Sequence, residues 1–200
     1  MQINWESFSV YNQDARGIRF KFEDLCRQIF INENISGNKQ FHYFHANPNN
    51  YGLETEPVYD EMHKRWIGFQ AKYFDDKVDY VQIEKSAEKI VEYYTGKSGV
   101  VNHVFLFSNK PINSTAAGFV RTKALLNNKQ ISLELITNDQ ILDLVRSKYE
   151  YLANYYFGNH SLNSEWFINH NKEMYDLLGE RFNCMFHIDT NETSASRRAV

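Results

Sequence analysis

The chain has 200 residues, an apolar fraction of 42% and a net charge of −3, enough for one substantial domain with a packed core. That small negative charge makes no global case for nucleic-acid binding, so a polyanionic partner has to meet a local basic patch. Cys26 and Cys184 are too few and too far apart for a disulfide framework or a cysteine zinc site. No run of about 18 apolar residues and no basic-then-apolar leader is present, so the expectation is a cytoplasmic chain with no membrane partner.

After a short lead-in, Arg16 to Asn32 predicts a helix, because Phe20, Phe22, Leu25, Cys26, Ile29 and Phe30 fall at spacings of three and four and make an apolar face. Phe41 to His45 predicts a short aromatic strand and Gly52 to Val58 a second. The polar turn from Asp60 to Arg65 then makes a hairpin with a strand from Trp66 to Phe74. A helix from Val78 to Tyr94 follows, closed by Gly96 to Gly99. Val100 to Ser108 is nearly all apolar and reads as a central, parallel strand. Ser114 to Asn127 predicts a helix capped by Ser114 or Thr115, and Ile131 to Ile136 a strand. Thr137-Asn138-Asp139 caps a helix through Val145. From Tyr149 to Leu178 the pattern is helical and rich in aromatics, and Asp189 to Ser194 reads as a linker. Strands alternating with helices give an α/β class with a mixed sheet.

The informative stretch is Trp66 to Phe74, where Gln70 and Lys72 share one face of a strand otherwise built from Trp, Ile, Phe and Tyr. A lysine there is costly to bury without a partner. The preceding strand brings Glu54 and Glu56 within reach. Phosphodiester hydrolysis needs an activated water and neutralised phosphate charge, which a carboxylate-held divalent metal and a lysine supply. Glu54 is the first metal ligand on this reading, Gln70 a neutral second and the Ala71 carbonyl a third. Lys72 sits over the water and the phosphate. Glu23 supplies a further carboxylate or holds Lys72, and Glu56 rivals Glu54.

Other constellations carry less. His42 and His45 face opposite sides of their strand, His63-Lys64-Arg65 is a basic hairpin tip, and His103 reads as a satisfied core histidine. Lys110, Arg121, Lys123 and Lys129 suggest a basic rim. Gly96-Lys97-Ser98-Gly99 lacks the spacing of a phosphate-binding loop, and no Gly-x-Ser-x-Gly nucleophile motif occurs.

Phe22-Glu23-Asp24-Leu25-Cys26, Gly52-Leu53-Glu54-Thr55-Glu56-Pro57-Val58 and Gly68-Phe69-Gln70-Ala71-Lys72-Tyr73-Phe74 together resemble the PD-(D/E)xK restriction-endonuclease-like superfamily. The resemblance is to its Mrr-like and Cap4-like branches, where Gln-x-Lys replaces the acid-x-Lys element. It implies a restriction-endonuclease-like mixed central sheet flanked by helices over 1–148; the pattern of the remaining residues reads as a helical extension over 149–180 that carries no motif of the family and a linker over 181–200 to a following domain, an ending that fits the resemblance. It further implies a Mg2+-dependent endonuclease, with Mn2+ as a substitute, of low specificity for double-stranded DNA. Such domains stand at the N-terminus of antiviral STAND NTPases (the Avs group), where oligomerisation activates them. By position Glu54 matches the acidic ligand, Gln70 the second ligand, Lys72 the catalytic lysine and Glu23 the accessory helix acid. Glu stands where Asp is commoner, and Gln70 in place of an acid keeps a second expectation open: a catalytically inactive, nuclease-like module that binds DNA or a partner. The aromatic tail (Tyr151, Tyr155, Tyr156, Phe157, Trp166, Phe167) keeps open a third, an assembly module.

Overall fold

The computed structural model describes residues 3–13, 17–35, 51–95 and 100–158, which fall within the unit Met1–Asn159. The strand expected at Phe41 to His45, the Gly96 to Gly99 loop and everything beyond Gly158 lie outside the described residues, as do His42, His45, Trp166 and Phe167.

The elements run α1 (Trp5–Tyr11), α2 (Ile18–Asn34), β1 (Val58–Asp60), β2 (Arg65–Lys72), α3 (Tyr80–Tyr94) and β3 (His103–Ser108). Then come α4 (Ala117–Asn127), β4 (Ser132–Ile136), α5 (Asn138–Ser147) and α6 (Glu150–Phe157). The four strands form one mixed sheet in the order β1-β2-β3-β4. β1 and β2 are antiparallel with Val58 opposite Ile67, while β2, β3 and β4 are parallel with Lys72 opposite Ser108 and Phe107 opposite Ile136. Each parallel step requires a crossover, and α3 and α4 provide them.

The alternation of side chains along the strands sorts the two faces. Ile67, Phe69 and Ala71 of β2 and Phe105 and Phe107 of β3 pack with the apolar stripe of α2 and with α1, α5 and α6. On the opposite face Val104 meets Ala87, Ile90 and Leu126, and Leu106 meets Ile83 and Phe119, from α3 and α4. All six residues of β3 are buried, as its nearly continuous apolar run predicts for a central parallel strand.

Several local expectations shift. The lead-in contains a helix: Asn4 Oδ1 accepts from the Ser7 N–H at 2.8 Å and α1 buries Phe8. Of the expected Gly52 to Val58 strand only Val58 pairs; β1 lies later, at Val58–Asp60, and takes in Asp60 from the expected turn. Before it the chain turns through Tyr51 and Gly52, at φ +21° and +91°. A Cβ on Gly52 would stand 2.4 Å from the Ser86 carbonyl, so only glycine lets this backbone lie against α3. α4 starts at Ala117 and not at Ser114, because Asn113 Oδ1 draws the Thr115 N–H and hydroxyl into a local turn. Asp79 caps α3 by accepting from the Val81 and Gln82 N–H groups. Thr137 caps α5, with Gln140 Oε1 accepting from the Thr137 N–H at 2.9 Å.

Candidate active site

β1 pairs with β2 only from Arg65 to Ile67, so the second half of β2 carries no ladder partner on that side among the described residues. The bend containing Glu54 lies along this opening. Leu53 packs over Gly68, where an added Cβ would stand 2.7 Å from Leu53 Cδ1. The Glu54 N–H donates to the Phe69 carbonyl at 2.9 Å, and Glu54 Oε1 accepts from the Ala71 N–H at 3.4 Å. A carboxylate thus takes a bond that a neighbouring strand would otherwise make. Glu54 sits on a bend beside β2 and not on a facing strand, as the sequence led one to expect. A strand residue presents its N–H and C=O on the same edge, so the Ala71 carbonyl shares this opening.

Lys72 closes β2 and is half-buried. Glu23 reaches the same place from the opposite end of the sequence. On α2 the stripe Phe22, Leu25, Cys26, Ile29 and Phe30 is buried against the sheet, and Glu23 sits half-buried beside it. Burial drives the Glu54 carboxyl up from 4.5 to about 7, Glu23 adds to the rise, and Lys72 and the Ala71 N–H oppose it. Burial likewise raises Glu23 while Lys72 pulls it down. The Lys72 ammonium is lowered by burial, supported by Glu54 and Glu23, and lowered further by Lys89 and Arg19. Buried Cys26 is pushed well up by burial, then by Glu54 and Glu23. Two carboxylates, from residues 23 and 54, therefore lie within electrostatic reach of one lysine, Lys72.

Gln70 points to the same side of β2 as Lys72 and is 5% exposed. Glu56 goes elsewhere: it is exposed, and its charge is felt by Tyr94, whose hydroxyl is raised to about 12 by burial, Tyr93, Glu56 and Tyr51. Among the described residues no group of three or more His, Cys, Asp or Glu side chains is placed to hold a metal ion. Glu23 and Glu54 are the two carboxylates present, and further donors would be the Gln70 amide oxygen, the Ala71 carbonyl and water.

Asn109 escaped sequence reading. Buried at the end of β3, it accepts from the Phe74 N–H at 2.8 Å and donates to the Phe74 carbonyl at 3.0 Å, fixing the chain just past Lys72. Its only sequence signal is an asparagine after a buried strand, and its partner is 35 residues away. Arg19 and Lys89, on α2 and α3, were also missed and add positive charge near Lys72; Arg19 bridges Asp75 at 3.2 Å.

Several of the remaining candidates are engaged by partners of their own. His63 Nδ1 meets Asp60 Oδ2 at 2.7 Å on the hairpin. His103 is buried, with Nε2 at 3.0 Å from Glu134 Oε2, and Nδ1 at 2.5 Å from Ser132 Oγ and 3.0 Å from Arg65 Nη1. It is a core histidine with both ring nitrogens occupied. Arg121 is engaged by Glu84 through two bonds of 2.8 Å. No helix among the described residues is long and apolar enough to cross a membrane. No protein-family model matches the chain, and no curated protein does either.

Proposed function

We propose that this chain is a metal-dependent endonuclease domain that hydrolyses double-stranded DNA with low sequence specificity. The observation that supports it is the convergence of Glu23, Glu54 and Lys72, from three separate segments, at the open carboxyl end of β2. Ligand crevices in open α/β sheets favour this position. The donors on hand are all oxygen (two carboxylates, a carbonyl and the amide oxygen of buried Gln70), which suits a hard divalent cation such as Mg2+, with Mn2+ as a substitute. Glu54, Glu23, Gln70 and Ala71 would hold it, and it would supply Lewis-acid polarisation of the phosphate and a more acidic water.

The chain's own residues have definable tasks. Lys72 Nζ donates to a non-bridging phosphate oxygen and offsets the charge that builds up as water adds and the P–O bond breaks. Glu54, with one oxygen tied to the Ala71 N–H, presents the other towards the reacting water. Glu23 sets the field that both feel. Asn109 fixes the backbone beyond Lys72 and so limits where the ammonium can reach.

In the setting the resemblance implies, this domain is the cytoplasmic effector of a larger anti-phage STAND NTPase, and self-association activates it. A second reading, a nuclease-like module without catalysis that binds DNA or assembles, is favoured by one observation: Gln70 contributes no charge where an acid would. Plasmid cleavage with Mg2+ separates the two, using the chain fused to a forced dimer or tetramer. Wild type should linearise the plasmid and Lys72→Ala should reduce the rate by at least about a hundredfold. Equal inactivity of two folded, oligomeric proteins would favour the second reading.

A further inference from the structure

α2 has to place Glu23 accurately, yet little in its own sequence fixes its register. Gly17 stands at its N-cap with φ +78° and gives no side-chain cap, and the stripe that docks it on the sheet is apolar. Apolar burial is non-directional: it holds a helix down without fixing its rotation or its slide. Beyond the exposed Arg19–Asp75 pair, directional contacts come from the last two helices. The Tyr149 hydroxyl donates to Glu33 Oε1 at 2.5 Å, and Lys148 reaches the same carboxylate at 3.0 Å. Asn32 Nδ2 donates to the Tyr151 hydroxyl at 2.5 Å. The Tyr156 hydroxyl donates to Asp24 Oδ2 at 2.6 Å, and Asp24 also pairs with Arg27. α6 therefore runs antiparallel to α2, with hydroxyls pinned at both ends of it.

The contact at Asp24 adjoins Glu23 in sequence. Tyr156 is 2% exposed, and burial holds its hydroxyl well above the ordinary tyrosine value, so it stays a donor. α1 secures it in turn: Asn12 Nδ2 donates to the Tyr156 carbonyl at 2.6 Å and to the Phe8 carbonyl at 2.7 Å. The chain then leaves through Gly158 in the left-handed region, where an added Cβ would lie 2.6 Å from the Tyr11 ring.

We infer that α6 is a brace that fixes the register of α2, and that Tyr156, through Asp24, is the positioning residue for Glu23. The inference rests on the reading of Glu23, Glu54 and Lys72 as a metal-dependent site. A misplacement of about 1 Å is enough to degrade such a constellation, so a single hydroxyl at the brace has leverage over a carboxylate it never touches.

The test uses the full 200-residue chain, with Mn2+ as probe, in wild type, Tyr156→Phe, Glu23→Gln and the double variant. Free Mn2+ is followed by electron paramagnetic resonance, and plasmid cleavage is measured in parallel. The expected result is Mn2+ affinity weakened about tenfold by Tyr156→Phe, as for partners that orient a ligand, with no further loss in the double variant beyond Glu23→Gln alone. Amide exchange should accelerate in the α2 segment around Asp24 and stay unchanged in α3. Asp24→Ala, which leaves the Tyr156 hydroxyl no side-chain acceptor at that position, should reproduce both effects, and it covers the case in which Tyr156→Phe does not fold. Losses that multiply in the double variant, wild-type Mn2+ affinity in Tyr156→Phe, or unchanged exchange in α2 would each overturn the brace. A wild-type chain that neither binds Mn2+ nor cuts DNA would overturn the site reading itself, and the positioning role with it.

Discussion

Replacing Glu54 by glutamine should make the metal-free protein more stable above neutral pH. In the fold the Glu54 carboxyl titrates at about 7 against 4.5 without the fold, because burial and Glu23 outweigh Lys72 and the Ala71 N–H. Between those two values the folded chain keeps a proton that the unfolded chain has released, so stability falls as pH rises through that window and levels off above it. With about 1.36 kcal/mol for each tenfold change in proton affinity, the ionised Glu54 withholds about 3 kcal/mol at pH 8.5 and under about 1 kcal/mol at pH 5. Glutamine keeps the shape and the carbonyl acceptor for the Ala71 N–H but never ionises. Thermal melts of wild type and Glu54→Gln in chelator should therefore separate by roughly 10 °C at pH 8.5 and by a few degrees at most at pH 5. Identical melts at pH 8.5, or a gap that is the same at both pH values, would refute the placement of Glu54 in a desolvated, acid-flanked pocket.

Gly52→Ala should cost at least about 2 kcal/mol in denaturant unfolding, since its Cβ meets a backbone carbonyl at 2.4 Å in a conformation with φ +91°; a loss under 0.5 kcal/mol, on the order of a neutral surface change, would contradict the close approach to α3. Asn109→Ala removes two buried bonds to Phe74 and should destabilise by about 2–4 kcal/mol, and cleavage should fall more than stability alone explains because Lys72 loses its anchor. His103 should act opposite in sign to Glu54. Burial and Arg65 lower it below 6.5, so its contribution is complete above pH 6.5 and is lost as pH falls. His103→Gln should flatten the decline in stability between pH 6.5 and 5, and an unchanged decline would count against a neutral His103.

Much of the sheet was legible because periodicity reports burial. The nearly all-apolar run ending at Ser108 became the central strand, and Gln70 and Lys72 share a face because a strand repeats every two residues. Position 54 was harder. The segment from Gly52 reads as a strand by composition, but a glycine at φ +91° and Pro57, which has no N–H to donate, keep it from forming a ladder. Its acid arrives beside β2 by a bend instead. α1 was hidden because seven residues are too few for a periodic pattern to stand out. Asn109 and the tyrosine contacts on α2 could not be read at all, since each joins residues 35 to 132 positions apart and neither partner announces the other. Sequence spacing finds groups that share an element, and the fold alone finds groups that share a place.

The brace from α6 also has a consequence for the order of synthesis. α2 is made early, but the helix that pins it begins at Glu150. At ribosomal rates of about 5–20 residues per second, α6 emerges roughly 6–25 s after α2 is complete. During that interval Phe22 and Cys26 lack the α6 part of their packing, and Asp24 lacks the Tyr156 hydroxyl. The acid on α2 takes up its final register only once the chain has been made through Phe157, so a nascent or prematurely terminated product carries every candidate catalytic residue and yet remains an unset trap.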